Sequence, residues 1–329
     1  MKKSLALILS LALVLTMLSC LSACKKKGSE NDITLVLDWT PNTNHTGFYT
    51  ALEKGYYKEL GLNVTIQQPP EDGATMLVAS GSAQFGIDFQ DYLAPAYATD
   101  SPLPVTAVAA LIQHNTSGII SMADKGITSP KGMEGHSYAT WDLPTEKAII
   151  KSCMERENGD FDKVELIPST VTDTLTAIQT NVDSVWIYYA WDGIAAEVKD
   201  LDTNYFAFGD IDPAFDFYTP VIVANNDYLK EHPDNAKAFL EATEKGYQYA
   251  IENPEEAADI LCQYAPELDR DIVVASQKWL AEKYIDDASA WGMFDAERWN
   301  RFFDYLWDNK LIEKEIADNY GFTNEYLPK

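Results

Sequence analysis

Asp38-Trp39-Thr40-Pro41-Asn42-Thr43-Asn44-His45-Thr46-Gly47-Phe48-Tyr49 is the stretch that decides how the rest of this chain is read. It follows an apolar, β-branched run at positions 33–37, which has the length of a short buried strand, and leads into a helical pattern beginning near Gly47. A strand that opens directly into a helix leaves backbone N–H groups unpaired. In open α/β sheets the crevice beyond the carboxyl ends of the strands is where ligands sit. Into this turn the sequence places an acid, an indole, carboxamides, an imidazole and a phenol, groups suited to holding a small, flat, polar molecule. Taken singly these residues are ordinary, since Pro41 and Asn42 are turn formers and Trp39 would serve equally well in a core. The cluster says more than its members.

Outward from this loop the same succession repeats. Positions 48–60 carry apolar residues at helical spacing and stop at Gly61, 62–66 read as a strand, 74–79 as a short helix before Gly81, and 84–89 as a third strand. A helix to Ala98 and a strand at 105–111 follow. Such alternation predicts a largely parallel sheet covered by helices. A second unit has strands at 119–122, 136–141, 164–167 and 184–188, with helices at 144–157, where Pro144 occupies the first turn, and at 171–180. Positions 218–223 read as a strand returning to the first unit, and four helices follow at 235–252, 254–264, 269–284 and 296–309. The pattern predicts two α/β lobes, one from 33–118 plus 218–329 and one from 119–217, hinged near Gly118 and Tyr218.

The N-terminus has a different character. Lys2 and Lys3 precede an apolar stretch at 5–18, the layout of a secretory signal peptide and short of the roughly 20 residues a membrane span needs. Leu21-Ser22-Ala23-Cys24 resembles a bacterial lipobox, which predicts a signal peptide at 1–23 and a diacylglycerol on Cys24; Cys20, with Met17 upstream, is a poorer match. Positions 24–32 then read as a polar tether above a membrane. The expected location is extracytoplasmic and lipid-anchored. Cys153 and Cys262 are far apart, with no CxxC spacing or histidine beside them, so two free thiols are the default and a disulfide between them stays open.

Hydrophobic residues make up 46% and charged residues 23% of the 329, an ordinary globular composition long enough for two domains. The net charge is −26, and loss of Lys2 and Lys3 with the signal peptide takes it to −28. Nucleic acid is thereby excluded as a partner, because phosphate binding needs basic patches. A neutral or cationic ligand is favoured over an anionic one.

Three stretches carry a family resemblance. They are Leu37-Asp38-Trp39-Thr40-Pro41-Asn42 with His45 and Gly47, then Ala79-Ser80-Gly81-Ser82-Ala83-Gln84-Phe85-Gly86-Ile87, then Tyr218-Thr219-Pro220-Val221-Ile222-Val223-Ala224-Asn225 ahead of Asn253-Pro254-Glu255-Glu256-Ala257-Ala258. From about 33 to 310 the chain resembles the solute-binding proteins of ABC importers, in the group related to thiamine pyrimidine-precursor binders and to fungal pyrimidine synthases. The resemblance implies an α/β, two-lobed periplasmic-binding-protein fold (type II) whose lobes close over one ligand. It also implies a monomeric receptor that hands its cargo to a permease with its ATPase, held near the membrane by a lipid anchor. The cargo implied is a small planar heteroaromatic of the formylaminopyrimidine or hydroxymethylpyrimidine type, with riboflavin as the alternative.

Flat heteroaromatics are held by stacking, each ring pair contributing about 0.5–1.5 kcal/mol beyond its buried area. Trp39 and Tyr49 would serve from the first lobe. The segment Val185-Trp186-Ile187-Tyr188-Tyr189-Ala190-Trp191-Asp192 would supply Trp186, Tyr188, Tyr189 and Asp192 from the second. Asp38 and Asp88 are the expected acceptors for amino groups, with Asn42, His45, Gln90 and Asn115 as further polar contacts. An aspartate opposite an aminopyrimidine nitrogen would keep that ring protonated.

The rival reading is enzymatic. The resemblance implies that the fungal synthases consume a histidine and a lysine-bound pyridoxal phosphate, and alignment over 81–87 puts that lysine at Asp88 and that histidine at Tyr92. Their cysteine cluster is missing too, as are a Ser-His-Asp order, an HExxH spacing and a P-loop. No catalytic role, cofactor or metal is therefore expected. Related receptors for nitrate, bicarbonate or sulfonates bind anions, which would call for Arg or Lys, and 38–49, 88–92 and 113–117 contain none.

Overall fold

The computed structural model describes residues 30–329 apart from Asp72 and Thr170. The expected signal peptide, the expected lipidation site Cys24 and the expected tether up to position 29 lie outside the described residues. Among those described, no helix is long and apolar enough to cross a membrane.

In chain order, β1 (Asp32–Val36) leads through the 38–45 loop to α1 (Thr46–Glu53), then β2 (Asn63–Gln67), α2 (Ala74–Ala79), β3 (Phe85–Asp88), α3 (Gln90–Tyr97) and β4 (Val105–Ala110). The chain then crosses over. It builds β5 (Ser117–Met122), β6 (Ser137–Thr140), α4 (Pro144–Arg156), β7 (Glu165–Pro168), α5 (Thr174–Thr180), β8 (Ser184–Tyr188) and β9 (Thr203–Ala207). A second crossing leads to β10 (Val221–Asn225), and α6 (Pro233–Glu252), α7 (Pro254–Tyr264), α8 (Arg270–Ala281) and α9 (Ala296–Asp308) complete the chain. The two sheets run β2-β1-β3-β10-β4 and β7-β6-β8-β5-β9.

Both sheets are mixed rather than largely parallel. β10 is antiparallel to β3 and β4, and β5 is antiparallel to β8 and β9. In each sheet the odd strand is the one arriving from the other lobe, and it enters from the opposite end. β9 escaped the sequence reading because Thr203-Asn204-Tyr205-Phe206-Ala207 is half-buried throughout and so lacks an alternating face. The long helix expected at 48–60 breaks at Gly55, whose φ of 79° suits glycine. β10 starts later than expected because positions 217–220 are taken up by the crossing.

Leu35, Phe85, Ile87 and Ile222 bury one face of the first sheet with Phe48 of α1 and Phe239 and Tyr247 of α6; Val36, Val221 and Val223 bury the other. Each such side chain contributes about 1.5–3 kcal/mol when fully buried. α1 and α6 cross with their backbones in contact. A Cβ on Gly246 would stand 2.0 Å from the Gly47 carbonyl oxygen, and one on Gly47 would stand 2.3 Å from the Tyr247 ring. This crossing fixes the loop ahead of α1 against the lobe. The return crossing is buried as well, with Phe217 stacked on Phe302 of α9 at 4.1 Å.

Candidate functional site

A cavity of about 370 Å³ opens between the lobes, where β1 and β3 end on one side and β6 and β8 on the other. That volume is near the lower end of small-molecule sites. Asp38, Trp39, Thr40, Asn42, Asn44, Phe89, Asp91 and Tyr92 line it from the first lobe; Trp141, Leu143, Glu146, Trp186, Tyr188, Trp191 and Asp192 line it from the second. Phe89 and Tyr188 stack across the lobes with centroids 5.9 Å apart and planes 22° from parallel. Behind them Trp186 leans on Phe208 at 4.2 Å and faces Trp141 at 5.9 Å. Trp39, 60% exposed, and Tyr92, 51% exposed, stand at the lips.

The polar groups are placed just as specifically. The backbone N–H of Asn42 donates to His45 Nδ1 at 3.2 Å, which leaves His45 Nε2 to donate to Asp38 Oδ1 at 2.6 Å. Asp38 is thereby aimed by a histidine that is itself fully buried. Glu146 accepts from the Tyr138 hydroxyl at 2.5 Å, Thr140 Oγ1 at 3.0 Å, Trp141 N at 3.1 Å and Leu143 N at 3.2 Å, so it spends its lone pairs capping α4 and tying the loop before it. Burial pushes the Asp192 carboxyl up to about 6 against a hydrogen bond from Thr174. Burial, with the charge of Asp88 added, pushes Asp91 up to about 7.

Three atoms of the wall are shielded from solvent and have no partner: Asn44 Oδ1, Asp91 Oδ1 and Trp186 Nε1. Being shielded, these three atoms lie behind the surface that a guest would touch, and the wall meets a guest with its rings and its acids. The wall carries four carboxylates and no Lys, Arg or His. It is arranged to receive a planar molecule rich in N–H groups.

A family model described as NMT1/THI5 like matches residues 42–257, more than half of the chain. The chain belongs to the NMT1/THI5-like family. Formylaminopyrimidine-binding protein of Halalkalibacterium halodurans is 27% identical to it over 319 residues, covering 92% of this chain and 94% of that one. The 4-amino-5-hydroxymethyl-2-methylpyrimidine phosphate synthase THI11 of Saccharomyces cerevisiae is 25% identical over 328 residues, covering 91% and 88%. Among solved structures, the periplasmic aliphatic sulphonate binding protein SsuA from Escherichia coli superposes with a TM-score of 0.68 at 14% identity, covering 88% of this chain and 97% of that one. The fold is the two-lobed periplasmic-binding-protein fold.

In this NMT1/THI5-like chain, Asp38, Trp39, Asn42, Trp186, Tyr188 and Asp192 of the residues chosen from sequence line the cavity. The others do not. His45 sits behind Asp38 and acts through it. Tyr49 turns outward from the loop to pack on Tyr264 at 5.0 Å. Asp88 takes the Thr75 hydroxyl and the Phe89 N–H. Gln90 is buried in the lobe, where its Nε2 donates to the Trp299 carbonyl at 2.7 Å and its Oε1 accepts from Tyr218 N at 2.9 Å. Asn115 joins the two crossings, its Nδ2 donating to the Phe215 carbonyl at 2.8 Å. Tyr189 follows Tyr188 at a strand end and so points away from it, onto Tyr205 and Trp279.

The residues the sequence reading passed over are Phe89, Asp91, Tyr92, Trp141, Glu146 and Trp191. For Asp91 and Tyr92 a signal existed. Gln90, Leu93, Ala94 and Tyr97 repeat at helical spacing and form the buried face of α3, which turns the two residues after Gln90 off that face. For Trp141 and Glu146 the signal was weaker, because only the folded lobe brings the start of α4 to the same rim as β8. Cys153 and Cys262 are both free.

Proposed function

We propose that this chain is an extracytoplasmic solute receptor of an ABC importer, and that its cargo is a thiamine pyrimidine precursor of the formylaminopyrimidine or hydroxymethylpyrimidine type. The observation that carries the reading is an interlobe cleft with aromatic walls and acids unaccompanied by any cation. Stacking on Trp39, Tyr92 and Tyr188 would hold the ring, while Asp38 would accept its amino hydrogens. A cleft without Arg or Lys suits neither a sulfonate nor a phosphate ester. Similarity to a formylaminopyrimidine-binding protein over nearly all of both chains points to the same cargo class. A lipid on Cys24, with a polar tether after it, would keep the receptor beside its permease, and it would work as a monomer.

Similarity to a phosphate synthase supports a second, enzymatic reading. Against it, Asp88 and Tyr92 stand where the resemblance implies a synthase's lysine and histidine, and Asp88 is turned out of the cleft onto Thr75.

Calorimetric titration of the mature chain with formylaminopyrimidine, 4-amino-5-hydroxymethyl-2-methylpyrimidine, thiamine and riboflavin tests the assignment. The expected result is a Kd tighter than about 10 μM, roughly −7 kcal/mol, for one of the two pyrimidine precursors. Binding of riboflavin alone, or of none of the four, overturns the cargo.

A further inference from the structure

The loop after β1 ends in one short helical turn, Thr43–His45, that is closed by its own side chains. Asn42 Oδ1 accepts from Asn44 N at 3.0 Å, and His45 takes the part that Glu or Gln plays in a capping box, receiving the Asn42 N–H on Nδ1 at 3.2 Å. A backbone N–H can only donate. Nδ1 is therefore the bare nitrogen, and the ring's proton sits on Nε2, which faces Asp38 Oδ1 at 2.6 Å. The ring is fully buried, so solvent competes for neither nitrogen.

The same sense carries on into the carboxylate. Asp38 Oδ1 is taken by that N–H, whereas Oδ2 has no partner among the described residues and is not one of the shielded atoms. The Asp38 side chain keeps 10% of its surface and lines the cavity, so Oδ2 is the oxygen that a guest meets. The other acids of the wall are spent, Glu146 on four donors, Asp192 on Thr174, and Asp91 on its own N–H and that of Tyr92. A carboxylate oxygen held in this way can only accept. The guest must bring the hydrogen.

We infer that the Asp38–His45 pair selects the ligand by hydrogen-bond polarity: Asp38 Oδ2 receives the ring amino group of an aminopyrimidine, and His45 is the positioning residue that fixes the sense of that bond. The inference rests on the receptor reading and narrows it to rings that turn an N–H donor to this corner. A flat guest that turns a carbonyl or a bare C–H there covers the oxygen and leaves it unpaired, which costs more than the bond itself gains. The bond made to the amino group is charge-assisted and so stronger than its neutral equivalent. A site built to hydrogen-bond one group discriminates more sharply than one that only fits a shape. No proton changes hands.

The test titrates the mature chain with two probe pairs, formylaminopyrimidine and 4-amino-5-hydroxymethyl-2-methylpyrimidine, each against the same molecule with hydrogen in place of the ring amino group. For the pair that binds, the wild type should prefer the amino probe by roughly 10- to 150-fold, the range of a hydrogen bond to a charged group. Asp38→Asn keeps the shape, but its carbonyl oxygen must stay on the His45 N–H, which turns an amide N–H towards the guest; the preference should fall to within about threefold of none. His45→Leu fills the space without offering a proton and should lose most of the preference. His45→Gln can receive the Asn42 N–H on Oε1 and donate to Asp38 from Nε2, and should restore it. A role in packing alone weakens both members of a pair alike and leaves their ratio untouched.

Melting curves report whether each variant folds. Should His45→Leu not fold, the ring-nitrogen resonances of His45 in the wild-type complex decide, a proton on Nε2 supporting the inference and a proton on Nδ1 overturning it. A wild-type ratio near one, a ratio unchanged in folded Asp38→Asn or His45→Leu, or a His45→Gln variant as unselective as His45→Leu overturns the inference and leaves the receptor reading intact. Binding of none of the probes overturns both.

Discussion

Two hollows lie between the lobes, and one is chemically the quieter. The cleft has a volume of about 370 Å³, and the second notch, lined by His114, Asn115, Tyr189, Tyr205, Trp279, Lys283 and Asp286 among others, about 560 Å³. In the notch the charged groups other than Asp210 have already found partners. His114 Nδ1 lies 2.8 Å from Asp216 and its Nε2 3.1 Å from Asp287, Lys283 lies 3.4 Å from Asp286, and Arg298 reaches both Asp216 and Asp287. In the cleft the acids have no cation. The difference teaches that incomplete pairing, more than volume, marks where a ligand belongs. A satisfied surface gains little from a guest, whereas an acid with an open oxygen gains a bond it otherwise lacks.

Trp39→Ala should weaken pyrimidine binding by about 2 kcal/mol, roughly 30-fold, through lost stacking and buried area, while the melting temperature stays put because the indole is 60% exposed. A fall in melting temperature of similar size would place the indole in the core and remove the cleft's lip from the binding scheme.

Asp216→Asn should do the reverse. Removing the charge that receives His114 Nδ1 and faces Arg298 should cost about 1–2 kcal/mol of stability, about 2–4 °C for each kcal/mol in a domain of this size, and leave affinity within about threefold. Thermal melting and titration of the same sample check both halves.

A smaller, pH-dependent effect should come from His114. Its hydrogen bond to Asp216 raises its pKa above the ordinary value, the largest of several influences, so its contribution is fully present below that value and is lost as pH rises through the raised one. His114→Ala should therefore lower the melting temperature more at about pH 6 than at about pH 9. Equal losses at both would show that the ring contributes packing alone.

The least effect belongs to Tyr189→Phe, which removes a hydroxyl bonded to the exposed Glu197 on the notch side. Stability should move by less than about 0.5 kcal/mol and affinity not at all. A clear loss of binding would show that the notch takes part in ligand capture.

Asp88 and Gln90 show why half of the site was misplaced in the sequence. Both lie within three residues of Asp91, at or just after the end of the same strand. Asp88 still belongs to the strand's pleat, Gln90 falls on the apolar stripe of α3, and Asp91 is one step of 100° beyond it. Read as a loop, the segment gives no preference among them; read as the start of a helix, it does. Trp186 and Tyr188 were legible for the converse reason, since Val185 and Ile187 alternate with them along β8 and take the opposite face.

From the sequence alone came two repeated α/β units, the return of the chain to the first, the aromatic loop after β1 and the absence of basic residues from the loops that matter. These are local properties, written in periodicity, turn chemistry and composition. The folded structure alone decided the strand directions, the rotation of each side chain at the rim, and the pairing that silences one hollow and leaves the other unsatisfied. Those depend on strands that enter from the opposite lobe and on partners a hundred residues away, and no local pattern encodes a partner that distant.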